Sequence, residues 1–194
     1  KFMELFPQAL EYIKNKCLVI PNGIPETWFD NLHQEKIQRD VINFVYQGTF
    51  HARKNLLYTV DLMDCLNVNG VECKFRMYGA GPEQELIEKK IKESNYSSCY
   101  SMDSWSNSIE VIKKRYSEAD IFIMLSSDET FGISYIEALA SGVPIVYKKG
   151  EGVDGFFEDS EVALGLECEE LEEDYRKIVS FLKKTGKNKQ KTYD

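Results

Sequence analysis

The stretch ADIFIMLSSDETFGISYIEALASGVPIVYK, residues 119–148, reads as one unit of a parallel sheet. ADIFIML at 119–125 reads as a buried strand through its apolar stretch IFIML, and PIVYK at 144–148, with IVY at its centre, reads as another. Between them SSDET forms a polar turn, Thr130 stands where an N-cap is wanted, and Phe131 to Ser141 carries a helix. Glu129 falls just outside that helix and Glu137 well inside it.

Outward from this unit the same alternation continues. Apolar runs suited to strands stand at 17–20 (CLVI), 42–47 (INFVYQ), 73–78 (CKFRMY), 98–102 (SCYSM) and, more weakly, 162–167 (VALGLE). Helical periodicity fills the gaps. Asn55 to Asn69 puts Leu56, Val60, Met63 and Leu66 on one face, and Asn69-Gly70 supplies a stop. Pro82 opens a second helix with a thin apolar face of Leu86, Ile87 and Ile91, a third runs from Ser108 to Glu118, and a last from Glu169 to Lys184. Residues 1–16 read as a leading helix and 185–194 as a frayed tail. The fold class is α/β, a Rossmann-like doubly wound parallel sheet in a single domain spanning 1–194.

Composition narrows the functions. The 194 residues carry a net charge of -8, and no cluster of Lys and Arg large enough to displace counterions from a phosphate backbone, so no nucleic-acid partner is expected. No apolar run approaches the roughly 20 residues needed to cross a bilayer, so no transmembrane segment is expected either. Five cysteines, scattered and without a C-x-x-C pair, read as reduced core residues, and two histidines leave little for a metal site. The chain starts at Lys1 rather than Met, which reads as the boundary of a fragment.

In an open α/β sheet ligands bind beyond the carboxyl ends of the strands, so the strand-to-helix turns are where chemistry is sought. Three stand out: GTFHARKN at 48–55, YGAGPE at 78–83 and SSDETFG at 126–132. Arg53 and Lys54 sit where a helix begins, a position that disfavours cations unless an anion joins them. They fit a bound phosphate, or a solvated charged pair. GAGP lacks the third glycine of a dinucleotide fingerprint, Gln84 standing in its place, and no phosphate-loop G-x-x-x-x-G-K-[ST] run occurs. Its glycines fit a purely structural turn or the close approach of a ligand. At the third turn the free amides of Phe131, Gly132 and Ile133 would surround a hollow with Glu129 at its rim. Glu137, among small side chains, needs a hydrogen-bonding partner: the hydroxyls of a ligand such as a ribose diol, or a lysine.

The run E-T-F-G-I-S-Y-I-E-A-L-A-S-G-V-P resembles the E-x7-E signature of retaining nucleotide-sugar glycosyltransferases of the GT-B architecture, the glycosyl transferases group 1. VIPNGIP at 19–25, GTFHARKN at 48–55, MYGAGPE at 77–83 and ADIFIMLSS at 119–127 resemble further segments of that family, in the family's order. The resemblance implies the C-terminal, donor-binding half of such an enzyme, without the N-terminal domain that shapes most of the acceptor site. It implies transfer of a sugar, with retention, from a nucleoside diphosphate sugar such as a UDP or GDP sugar. The acceptor is left open between glycan and lipid. By the resemblance Lys54 and Arg53 hold the diphosphate, with Gly48, Thr49 and Gly79 lining the donor site. Phe131, Gly132 and Ile133 offer amides to sugar and phosphate, Glu129 is the catalytic-site acid near the reacting carbon, and Glu137 holds the ribose. Thr49 stands where the family often has arginine, and YSMDSW lacks the family's usual glycine near the base. No metal or other cofactor is implied, the isolated fragment is expected to bind rather than turn over, and the whole protein is placed in the cytoplasm with peripheral membrane association left open. A non-catalytic nucleotide-sugar-binding or protein-interaction module and a GT-B sugar-nucleotide epimerase are the alternatives.

Overall fold

The computed structural model describes residues 22–29, 40–157 and 162–186. Six strands, β1 (Ile42–Gln47), β2 (Cys73–Tyr78), β3 (Tyr100–Asp103), β4 (Ile121–Met124), β5 (Ile145–Lys148) and β6 (Ala163–Leu166), form one sheet in the order β3-β2-β1-β4-β5-β6. All five pairings are parallel. This is the Rossmann-like arrangement expected, with helices α1 (Leu56–Val68), α2 (Gln84–Glu93), α3 (Ile109–Ser117), α4 (Ile133–Ala140) and α5 (Leu171–Lys184) covering the sheet. Strand order reverses between β1 and β4, so the turns after these two strands flank a natural crevice.

Apolar sequence explains each layer. All six residues of β1 are buried, as an inner strand covered on both faces requires. Leu56, Val60, Met63 and Leu66 of α1 are buried as their spacing predicts, and Ile178 and Leu182 anchor α5. On the other face, edge-to-face rings run from Tyr116 on α3 to Phe122 on β4, then Tyr135 on α4, then Tyr147 on β5. Each such contact adds about 0.5–1.5 kcal/mol beyond burial and fixes the angle at which α3 and α4 lie. At the amino ends of the inner strands, Asp120 accepts the backbone N–H of Asn43 at 3.0 Å, tying β1 to β4.

The differences from the sequence reading are local. SCYSM at 98–102 is displaced: residues Ser97–Cys99 form a 3-10 turn and the strand begins at Tyr100. Pro82 lies in the turn before α2 rather than in its first turn; the helix starts at Gln84, and the Glu83 N–H ties this turn to the Phe50 carbonyl. Leu86 is 53% exposed, leaving Ile87 as the buried anchor of that helix. Thr130 does not cap α4. Gly132, with φ of +75°, takes that place and the helix begins at Ile133, two residues later than expected. The strand at 17–20, the leading helix at 1–16 and most of the tail at 185–194 lie outside the described residues.

Candidate functional site

Three strand-to-helix turns meet at the carboxyl end of the sheet. The turn after β1 is laid across the turn after β2 by three backbone bonds: Gly48 N–H to Tyr78 O (3.0 Å), Phe50 N–H to Ala80 O (2.9 Å) and Glu83 N–H to Phe50 O (3.1 Å). The approach is so close that a Cβ on Gly79 would sit 1.9 Å from the Gly48 carbonyl oxygen, and one on Gly81 2.3 Å from that of Phe50. Chain-on-chain packing alone is thus enough to require both GAGP glycines. Thr49 is exposed, and its carbonyl accepts the Tyr46 hydroxyl at 2.8 Å. Burial pushes that hydroxyl's pKa up and Arg53 pulls it back, so Tyr46 stays a neutral donor that staples the turn.

The turn after β4 joins the same assembly. Ser127 N–H donates to the Arg53 carbonyl at 2.6 Å, across the switch point. This places the 3-10 turn Ala52–Lys54 directly against SSDET. Lys54 turns inward, 7% exposed, and its Nζ lies 2.6 Å from Glu129 Oε2 and 3.6 Å from Met124 Sδ. Arg53 reaches the same carboxylate oxygen at 3.9 Å with 43% of its side chain exposed. Two cations and one acid, far apart in sequence, are therefore one cluster. Ammonium carries three donors. Glu129 takes one and the thioether is a weak acceptor, so Lys54 keeps capacity for an anionic oxygen.

Beside this cluster α4 begins. The amides of Gly132, Ile133 and Ser134 precede the first backbone bond of the helix, Tyr135 N–H to Gly132 O, and aligned amides at a helix start favour negative charge. Gly132 itself is needed for its left-handed backbone and for Tyr135, whose ring would meet a Cβ at 2.4 Å. The space beside this glycine is thus filled by the protein's own ring. One turn into α4, Glu137 is half-buried; burial alone pushes its pKa up, and its carboxylate has no hydrogen bond or ion pair among the described residues. The structure therefore brings Gly48, Thr49, Gly79, Arg53, Lys54 and Glu129 into one place with the start of α4, while Glu137 stands apart from the cation cluster.

Sequence reasoning missed the elements that frame the acid. Lys148 Nζ donates to Ser127 Oγ at 2.8 Å, adding a third cation near the turn. The loop after β5 lies on Glu129 through Glu151 and Gly152. The glycines of GEGVDG were the available sign, a turn cluster after a strand, but nothing in the pattern says what such a loop touches. No helix among the described residues is long and apolar enough to cross a membrane.

The family model described as "Glycosyl transferases group 1" matches residues 29–193. The alpha-monoglucosyldiacylglycerol synthase of Acholeplasma laidlawii is 33% identical over 86 residues, 44% of this chain and 21% of that protein. Across the curated relatives the matched part is 21 to 36% of the relative's length, so the chain corresponds to a minor part of each. Among solved structures, sucrose-phosphate synthase from Thermosynechococcus elongatus superposes with a TM-score of 0.72 at 20% identity, covering 95% of this chain and 49% of that one. TarM of S. aureus gives 0.67 at 19% identity, covering 91% and 35%. With a family match over most of its length, and a fold shared with these proteins, the chain belongs to the glycosyl transferases group 1.

Proposed function

We propose that this chain is the donor-binding, C-terminal half of a retaining glycosyltransferase that draws a sugar from a nucleoside diphosphate sugar. The observation that carries the reading is the Lys54–Glu129 contact at the switch point, 2.6 Å long and set beside the amides of Gly132 to Ser134. Cations and aligned amides on one side suit a diphosphate, and an acid next to them suits the hydroxyls of the sugar it carries. TarM was solved with UDP bound, and the pneumococcal O-GlcNAc transferase GtfA with UDP and GlcNAc, both on this fold.

In the reaction the bond between the anomeric carbon and the diphosphate breaks, and negative charge grows on the departing oxygen. Lys54, Arg53 and the α4 amides are preorganised donors for that charge, which is what lowers the barrier. Glu129 contacts the sugar and keeps Lys54 oriented, and Glu137 accepts from the ribose hydroxyls. No metal is needed for this scheme because the protein supplies the positive potential. The acceptor, glycan or lipid, is taken up with an N-terminal domain of the same protein, in the cytoplasm, with the membrane surface as the meeting place if the acceptor is a lipid.

Calorimetric titration of the chain with UDP-, GDP- and ADP-glucose tests the reading. Binding of one of them is expected, unchanged by EDTA and weakened at least tenfold by Lys54→Ala. No heat with any of the three at millimolar concentration overturns it.

A further inference from the structure

We propose that Glu151, on the loop after β5, is a positioning residue for Glu129, and that this loop fixes the sugar end of the site; the second half of this rests on the donor reading above. The Glu151 carboxylate accepts the Glu129 N–H at 3.1 Å, and the Glu129 carbonyl accepts the Gly152 N–H at 3.0 Å. Two bonds of opposite sense between adjacent residues pin the backbone of residue 129 in both directions. The side-chain stem is held too. A Cβ on Gly152 would lie 3.1 Å from Glu129 Cγ and 3.2 Å from the Phe131 carbonyl oxygen, so the loop backbone rests directly on the acid. Phe156 closes the far end, its ring meeting that of Phe131 edge-on at 5.7 Å.

A clamp works only if it is itself anchored. Val153 is fully buried and plugs the loop into the core. Asp154 accepts the Gly150 N–H at 2.7 Å and the Tyr147 hydroxyl at 3.2 Å, and its own N–H returns to the Glu151 carbonyl at 2.9 Å. The loop is thus a small rigid body that presents Glu151 from β5 to the turn after β4. The consequence is directional: Lys54 holds the Glu129 carboxylate from one strand while Glu151 holds its backbone from another. A reacting group held from two sides keeps the geometry that a shift of about 1 Å would spoil.

Glu151→Ala removes the acceptor, whereas Glu151→Gln keeps an oxygen that can accept. Amide hydrogen exchange followed by NMR on the chain reads the clamp without any ligand. In Glu151→Ala the amides of Glu129 and Gly152 are expected to exchange about tenfold faster or more, with those of β1 unchanged and Glu151→Gln close to wild type. Unchanged protection at Glu129, or loss throughout the sheet, overturns the clamp. The functional half is read from the affinities for UDP, GDP and ADP and for their glucose conjugates. Glu151→Ala is expected to leave the affinity for the bare diphosphate intact and to lower that for its sugar conjugate about fivefold, the size of one hydrogen bond. An equal loss for both overturns the sugar-end role. A wild-type chain that binds none of the six overturns the donor reading and that role together, and the exchange measurement still decides the clamp.

Discussion

Lys54 and Glu129 are 75 positions apart, yet their side chains are 9% and 12% exposed and in direct contact. Ions this far from water depend on each other, so removing one leaves the other uncompensated. Lys54→Met is expected to cost about 2–3 kcal/mol in urea unfolding, at or below the low end for sealed pairs because Arg53 stays within 3.9 Å of the carboxylate. The double variant Lys54→Met, Glu129→Leu should recover much of that loss; a double variant less stable than the single one would show that the pair is not what the site depends on. Glu137 behaves differently. Burial raises its folded pKa above the ordinary range of a glutamate, so the folded state binds that proton more tightly than the unfolded chain. Stability from this group is therefore full below the unfolded pKa and falls as pH rises through the interval up to the folded one. Glu137→Gln should stabilise the free protein at pH 7 by a few tenths of a kcal/mol, solvent screening having reduced the penalty, and be neutral at pH 4. Donor binding by ribose contact to the carboxylate should weaken as the pH falls toward that interval, and Glu137→Gln should flatten the dependence. Lys54 and Glu129 could be singled out in the sequence because charged residues at a strand-to-helix turn need a reason. Their mutual contact could not, since nothing local says that two turns from different strands converge.

At the scale of elements, β1 and β2 have the boundaries their sequences suggest. The misplacements occur where tertiary contacts overrule local preference. Thr130 offers a capping side-chain oxygen that glycine lacks, but the Tyr135 ring fills the space beside Gly132 and the helix starts there instead. The two glycines of GAGP were ambiguous because the same residue serves a ligand or a neighbouring chain. Their neighbour is the turn after β1, which leads to a sharp contrast between glycines. Gly79→Ala must fit a methyl 1.9 Å from the Gly48 oxygen, whereas Gly142, with φ of +70°, has open space around it. Gly142→Ala should cost about 1–2 kcal/mol from its left-handed backbone alone. Gly79→Ala should cost about 3 kcal/mol or more, or prevent folding, since both turns must move apart. Denaturation midpoints of the two variants compare them directly, and similar losses would mean that the turns are not locked together.

For the whole molecule, the carboxyl edge of the sheet carries more than the cation cluster. Trp105 after β3, Ile133 at the start of α4 and Phe156 after β5 are 56%, 44% and 59% exposed on that same edge. The chain contains two tryptophans, and the other, Trp28, is 2% exposed within the aromatic contacts to Tyr116. Acrylamide should therefore quench the fluorescence of Trp105 and leave that of Trp28 nearly untouched, giving a biphasic plot whose steep part vanishes in Trp105→Phe. A donor stretched from the Lys54 cluster across the β1 and β2 turns toward β3 would bring its base near Trp105, and the steep component should then flatten at saturation. The opposite pose runs from the cluster toward the loop after β5. It would leave Trp105 as quenchable as before while calorimetry still registers binding, and that result would reject the placement of the base on the β3 side. Because Arg115 donates to the Ser104 carbonyl at 2.9 Å and lies 4.0 Å over the Tyr78 ring, the loop that carries Trp105 is tied to the β2 turn. Arg115→Ala should raise the mobility of Trp105, seen as lower fluorescence anisotropy, and weaken protection by the donor without changing contacts at Lys54.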